Sequence, residues 1–423
     1  MNPPNALLPV SQALAQLLDA GRPIAEFASC PTLQANNRVL AVKQISQLDV
    51  PPADNTQMDG YAVRAADCAS GSARLKVSQR IPAGQAPQSL QSGTAARIFT
   101  GALIPEGADA VVMQESCTAV KAADGNYVTV NHAPRSGEWI RLRGEDIRAG
   151  SIVLPAGIRL RAQELGLAAS VGLASLPVTR RLRVAVFFTG DELVMPGEPL
   201  PPGAIYNSNR FLLRGLLENL GCEVADFGNV PDTLAATRDT LRRAAQGNDC
   251  IITSGGVSVG EEDHIKPAVE AEGRLNMWQI AVKPGKPLAF GEVRRGSRAS
   301  GTPDAESGDG VCHFLGLPGN PVSSFVTFLL FVRPFLLRLQ GVADVAPRRY
   351  SMRADFSWAK PDRRNEFLRA RLNAEGGLDL FPNQGSGVLT STVWGDGLID
   401  NPPGKPIAPG DMVSFLPFSD LLY

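Results

Sequence analysis

Arg183–Val184–Ala185–Val186–Phe187–Phe188 is an apolar run behind one arginine, and it stops abruptly at Thr189–Gly190–Asp191–Glu192. It reads as a buried strand emptying into a polar loop. Asn207 or Ser208 can then cap a helix that carries Leu212, Leu213, Leu216, Leu217 and Leu220 and is closed by Gly221. A second strand over 223–230 ends at Pro231–Asp232–Thr233, which starts another helix. A third, over 250–252, ends at Thr253–Ser254–Gly255–Gly256. Strands and helices alternating at this spacing predict a doubly wound α/β domain with a parallel sheet over 181–334.

On the N-terminal side, a helix is expected from Ser11, with Leu14, Leu17 and Leu18 on one face and Gly21 as its stop. Between 50 and 141 the texture changes to short apolar runs broken by Pro and Gly, and a helical patch returns over 161–171. The β-rich segment 50–141 therefore reads as an insertion in a mixed domain built from 1–49 and 142–180. After Pro334 the pattern is β-like again, with turns at Glu375–Gly376–Gly377 and Pro403–Gly404, which predicts a C-terminal β-barrel-like domain over 335–423. The stretch 294–310 is rich in Gly, Ser and charge and reads as a surface loop.

Composition narrows the function classes. The 423 residues are 44% hydrophobic and 20% charged, the balance of a globular protein. A net charge of -1 argues against a non-specific nucleic-acid or membrane-surface binder. The six cysteines are scattered with no C-x-x-C pair, and the three histidines are dispersed, so neither a zinc centre nor a redox pair is expected. The most apolar stretch, 325–332, is shorter than the ~20 residues of a membrane span. The first basic residue is Arg22, unlike the charged start of a signal peptide, so a cytoplasmic location is expected.

In an α/β sheet, ligands bind beyond the carboxyl ends of the strands. That edge collects Glu192, Asp232 and the loop holding Ser254, Gly255 and Gly256, with Asp263 close behind in Ser258–Val259–Gly260–Glu261–Glu262–Asp263. Carboxylates gathered there suit Mg²⁺, the alternative being that they solvate loops or cap helices. The Gly255–Gly256 amides can hold an anion. Lys283–Pro284–Gly285–Lys286–Pro287 holds two cations on a stiff turn, as an oxyanion site or as a solvated corner. Leu317–Pro318–Gly319–Asn320–Pro321–Val322–Ser323 reads as a strand end and a capped helix start, whose amides and Ser323 hydroxyl would favour an anion. Together these features imply metal-assisted work on a phosphate-bearing ligand.

At these residues the chain resembles the MoeA family of molybdopterin molybdenumtransferases and the C-terminal domain of gephyrin. The likeness runs through 52–62, which holds Asp59–Gly60–Tyr61, through Ile98–Phe99–Thr100–Gly101–Ala102, and through Arg143–Gly144–Glu145–Asp146–Ile147. It continues in Thr189–Gly190–Asp191–Glu192–Leu193, in 253–260, in the Lys-Pro-Gly-Lys-Pro turn and in 317–323. The resemblance implies an elongated four-part subunit acting as a homodimer, with a central domain like MogA and MoaB. It implies a transferase that takes adenylylated molybdopterin and molybdate and releases AMP with Mg²⁺. It also implies roles for Asp59, Thr100, Asp146, Glu192, Asp232, Asp263, Lys283, Pro318 and Pro321, with Glu192, Asp232 and Asp263 at the metal. Ser254, Gly255, Gly256, Ser258, Lys286 and Ser323 fall in the same motifs as substrate contacts. Asp59 and Thr100 would reach the site from the partner subunit. A MogA-type adenylyltransferase and molybdoenzyme acceptors or chaperones are the implied partners.

The chain departs from the family at Gln279, where a basic residue is common, and at Gly395–Asp396–Gly397 in place of Ala-Asn-Gly. Two other readings stand beside the transferase: a non-catalytic molybdopterin-binding scaffold of the gephyrin type, and an adenylyltransferase of the MogA type. The motifs outside the α/β domain weigh against the latter. Tungstate, nearly equal to molybdate in size and charge, remains an alternative oxyanion.

Overall fold

The computed structural model describes residues 7–256, 264–285, 287–295 and 310–422. Its central sheet has six strands in the order Glu223–Val230, Arg183–Thr189, Cys250–Ser254, Val311–Leu317, Pro287–Arg294 and Gly273–Gln279. The first four are parallel, as expected. Pro287–Arg294 runs antiparallel to both its neighbours, so Gly273–Gln279 points the same way as the first four and the expected parallel sheet carries one reversed strand. The connection over 280–286 is shorter than the dozen or so residues a parallel crossover requires, so the strand must turn back.

Side-chain alternation explains the double winding. Val184, Val186, Phe188, Ile252, Leu315 and Leu317 pack on one face against Leu213, Leu216 and Leu217 of the helix Ser208–Asn219. Ala185, Phe187, Ile251 and Phe314 pack on the other against Leu241, Ala244 and Ile265. Both helix starts carry working caps: Asn207 Oδ1 accepts from the Arg210 amide at 3.0 Å, and Thr233 Oγ1 from the Ala236 amide at 3.3 Å.

The helix that begins at Pro321 does not end near Pro334, where the β-like pattern was expected to resume. It runs on to Leu339 through a π-helical segment, Phe328–Val332, and the Arg333 amide reaches back to the Phe328 carbonyl. Pro334 lacks an N–H and sits at the opening of the following α segment, where none is needed. Pro321–Leu339 is thus long and apolar enough to cross a membrane, unlike the short run expected, but 94% of its most apolar 18-residue window is buried inside the protein. It forms the core of the α/β unit, joined by Ala13 and Leu17 of the opening helix Val10–Ala20.

The other sheets position the site. Phe27–Pro31 pairs with Ser175–Thr179, and Gln44–Ile45 with Ile152–Leu154, so chain before and after the β-rich segment closes on itself. Between them lies a second six-stranded sheet, from Gly60–Val63 to Gly125–Val130 in sequence. A third is built on Asn365–Leu372, Gly397–Asn401, Met412–Pro417 and Tyr350–Arg353. The two-residue strand Val282–Lys283 joins its edge, parallel to Asn365–Leu372. The thiols are inert structural groups, five of the six buried, and burial pushes Cys222 and Cys312 up to about 12.

Candidate active site

A cleft of about 660 Å³ opens beyond the carboxyl ends of the parallel strands. Thr189, Gly190, Glu192, Asp232, Gly255 and Gly256 form its sheet-edge wall. Pro318, Gly319, Asn320 and Ser323 form a second wall at the helix start. Lys283, Pro284, Gly285, Arg364, Gln384, Gly385 and Ser386 form the third. The cleft therefore takes the carboxylates Glu192 and Asp232 from the sheet edge and the cationic groups of Lys283 and Arg364 from the third wall.

Two glycines set its shape. Gly255 has φ +98°, and a Cβ there would stand 2.8 Å from the Thr189 carbonyl oxygen. Gly285 also has φ +98°, and a Cβ there would meet Thr327 Oγ1 at 2.7 Å. The Lys283–Gly285 turn thus docks directly on the long helix. Gly285→Ala is expected to lower stability by about 1–3 kcal/mol through forced left-handed backbone and that clash. An unchanged midpoint in urea unfolding would count against this close docking.

Several expected contacts are spent within the protein. Ser254 is buried; its hydroxyl accepts from Asn209 Nδ2 at 2.8 Å, donates to the Pro318 carbonyl at 2.9 Å and lies 3.0 Å from Ser324 Oγ. Asn209 Nδ2 also donates to the Gly319 carbonyl at 2.7 Å. Ser254 therefore braces the second wall and does not line the cleft, nor does Pro321. The helix start is less open than expected, because the Val322 amide already donates to the Ser386 carbonyl at 3.0 Å. Ser323, although buried, still belongs to the lining.

Lys283 is not the free cation its turn suggested. Its Nζ lies 3.1 Å from Glu366 Oε1 and 3.4 Å from Asp362 Oδ2. Glu366 is fully buried and also accepts from Trp358 Nε1 at 2.8 Å, so its charge requires a counterion there. Arg364 grips Asp362 through Nε and Nη2, both at 2.9 Å, and holds that carboxyl far below the usual carboxylate range. Behind this wall, buried Arg369 donates to Ser391 Oγ at 3.0 Å and to the Gly385 carbonyl at 3.2 Å. Burial lowers its guanidinium to about 10. Gln384 bonds both the amide and the carbonyl of Arg369, at 2.9 and 3.0 Å, which pins the 384–386 loop.

Sequence reasoning missed Arg364 and the 384–386 loop. The usable signals were the charge cluster Asp362–Arg363–Arg364 before a strand and the small-residue turn Gly385–Ser386–Gly387.

Asp59 and Thr100, distant in sequence, meet: Asp59 Oδ1 accepts from the Thr100 amide at 2.8 Å and from its hydroxyl at 2.7 Å. These bonds hold the Asp59 carboxyl below its ordinary value. The pair lies in loops at the ends of two strands of the inserted sheet and does not line the cleft of its own chain. Asp146 sits apart, in a hollow shared with Val50, Pro51, Arg141 and Glu145. Ser258, Asp263, Lys286 and most of the 294–310 stretch lie outside the described residues. Among the described residues no group of three or more His, Cys, Asp or Glu is placed to hold a metal. The two departures at Gln279 and Asp396 are off the cleft lining, and the Asp396 carboxylate instead accepts from the Leu372 amide at 2.9 Å.

Residues 8–172 match the model of the MoeA N-terminal region (domain I and II), 185–338 that of a probable molybdopterin binding domain, and 351–418 that of the MoeA C-terminal region (domain IV). A molybdopterin molybdenumtransferase of Haemophilus influenzae is 40% identical over 397 residues, covering 92% of this chain and 93% of that one. A molybdopterin molybdenumtransferase 2 of Mycobacterium tuberculosis is 37% identical over 405 residues, covering 92% and 94%. The crystal structure of a molybdopterin biosynthesis MoeA protein from Pyrococcus horikoshii superposes with a TM-score of 0.81 at 27% identity, over 97% of this chain and 100% of that one. Similarity of that extent, with the three regional models falling in order along the sequence, makes this chain a member of the MoeA family.

Proposed function

We propose that this protein is a molybdopterin molybdenumtransferase that takes adenylylated molybdopterin and molybdate, inserts molybdenum into the pterin and releases AMP. The observation that carries the reading is one cleft lined by Glu192 and Asp232 from the sheet edge and by Lys283 and Arg364, held in place by Glu366 and Asp362, from the third wall. The reaction joins a phosphate-bearing ligand to an oxyanion. One anionic centre suits a carboxylate-held cation, and the other suits N–H donors kept rigid by their own carboxylate partners. Relatives named for this activity match almost the whole chain.

Glu192 and Asp232 fit Mg²⁺, which is commonly held by one or two carboxylates together with substrate phosphates. Bound there, Mg²⁺ supplies charge neutralisation at the phosphate oxygens. Asp263 is the expected third carboxylate. The Gly255–Gly256 backbone lets a phosphate approach without a side chain in the way. Ser323 offers a hydroxyl on the second wall, and Arg364, fixed by Asp362, keeps its charge at the cleft rim with little reorganisation. The protein acts as a cytoplasmic homodimer, receives its substrate from a MogA-type adenylyltransferase and passes its product to molybdoenzymes or their chaperones.

Incubation of purified protein with adenylylated molybdopterin, Mg²⁺ and molybdate is expected to release AMP only when molybdate is present. A scaffold would bind the pterin and release none. A faster response to tungstate would reassign the oxyanion while keeping the reaction.

A further inference from the structure

Arg97 has no place in the cleft, yet it reaches three segments that flank the Asp59–Thr100 pair. It stands on the strand Thr94–Ile98, directly opposite Tyr61 of Gly60–Val63. Its Nη1 donates to the Gly60 carbonyl at 2.8 Å and to the Ile98 carbonyl at 3.1 Å. Gly60 follows Asp59 immediately, and Ile98 lies just before Phe99 and Thr100. Its Nη2 donates to Gln114 Oε1 at 2.7 Å, and the Gln114 amide in turn donates to the Asp59 carbonyl at 3.1 Å. Its Cζ lies over the Phe99 ring, 4.4 Å from the centroid, and over the Tyr61 ring at 5.3 Å. One planar group therefore ties together the strand that starts just after Asp59, the strand that leads to Thr100 and the segment that holds the Asp59 backbone.

We propose that Arg97 is a positioning residue of the transferase reaction, setting the orientation of the Asp59–Thr100 pair without itself touching substrate. This rests on the reading that the pair serves that reaction. Arg97 bonds carbonyls on either side of the pair and leaves the Asp59 carboxylate to Thr100. Only a planar fork bonds several carbonyl and amide oxygens while stacking on a ring; an ammonium does not reproduce it. Small displacements of reacting groups cost rate more than binding.

The test measures kcat and KM for molybdate-dependent AMP release in Arg97→Met and Arg97→Lys, normalised to folded protein. Both variants are expected to lose about 10- to 100-fold in kcat, with KM for adenylylated molybdopterin within about threefold. Gln114→Leu removes the Nη2 contact, together with an exposed bond from Gln114 Nε2 to Glu115 Oε1 at 3.2 Å, and is expected to lose several-fold, which keeps the test open if Arg97→Met folds poorly. Arg74→Met serves as a control, since Arg74 makes the same kind of stack on Tyr127 in this sheet, 4.5 Å from its centroid, and should leave kcat unchanged. Wild-type kcat per folded molecule in Arg97→Met, or full rescue by Arg97→Lys, overturns the positioning role. Asp59→Ala is measured alongside. If it is inactive while Arg97→Met is fully active, only this inference falls; if Asp59→Ala is itself fully active, the reading of the pair falls and takes the inference with it.

Discussion

Glu192→Gln is expected to slow molybdate-dependent AMP release by about 100-fold and to raise the Mg²⁺ concentration needed for half-maximal rate by about 10-fold or more. Glu192 is exposed at the cleft, in the loop that leaves the strand Arg183–Thr189. Its carboxylate makes no hydrogen bond or ion pair among the described residues, so the substitution removes a charge without breaking a structural contact. Stability should therefore change by no more than about 0.5 kcal/mol. The amide keeps the size and one acceptor of the acid but loses the negative charge that a hard cation requires. A variant with wild-type rate and an unshifted Mg²⁺ titration would remove Glu192 from the metal-binding set. An equal loss at every Mg²⁺ concentration would move it from the metal to the substrate.

What could be read from the sequence follows how local the physics is. The strand Arg183–Thr189 and the helix Ser208–Asn219 were legible because their periodicity, caps and stops lie within a few residues of each other. The sheet-edge wall was legible for the same reason, since strand order carries Glu192, Asp232 and Gly255 to one edge once the fold class is known. The third wall was not. It depends on Val282–Lys283 pairing with Asn365–Glu366, and no local pattern announces that partner. The pairing also turns Lys283 from a free cation into the counterion of buried Glu366. Pro334 misled for a different reason: a proline ends a regular helix, but the π-helical segment before it lets this one continue. Asp59 and Thr100 drew attention only through the family resemblance. Nothing in their own spacing says that one carboxylate oxygen will accept both the amide and the hydroxyl of Thr100.

That last contact leads to the second large effect, recovery of activity on mixing two dead proteins. The Asp59–Thr100 pair lies outside the lining of its own chain's cleft, which holds Glu192. If the pair completes the cleft of a second copy, Asp59→Ala and Glu192→Ala subunits are each inactive alone for different reasons. In a mixed two-fold dimer one cleft has intact Glu192 and faces an intact Asp59, while the other has lost both. Random exchange at equal amounts makes half of the dimers mixed, so activity should return to about a quarter of wild type. Exchange is verified by differently tagged subunits before the rate is read. A mixture that stays dead after verified exchange would place Asp59 in the service of its own chain, and the inserted sheet would then have to move to reach the cleft. A protein that sediments as a monomer at assay concentration while fully active would rule out the shared site altogether.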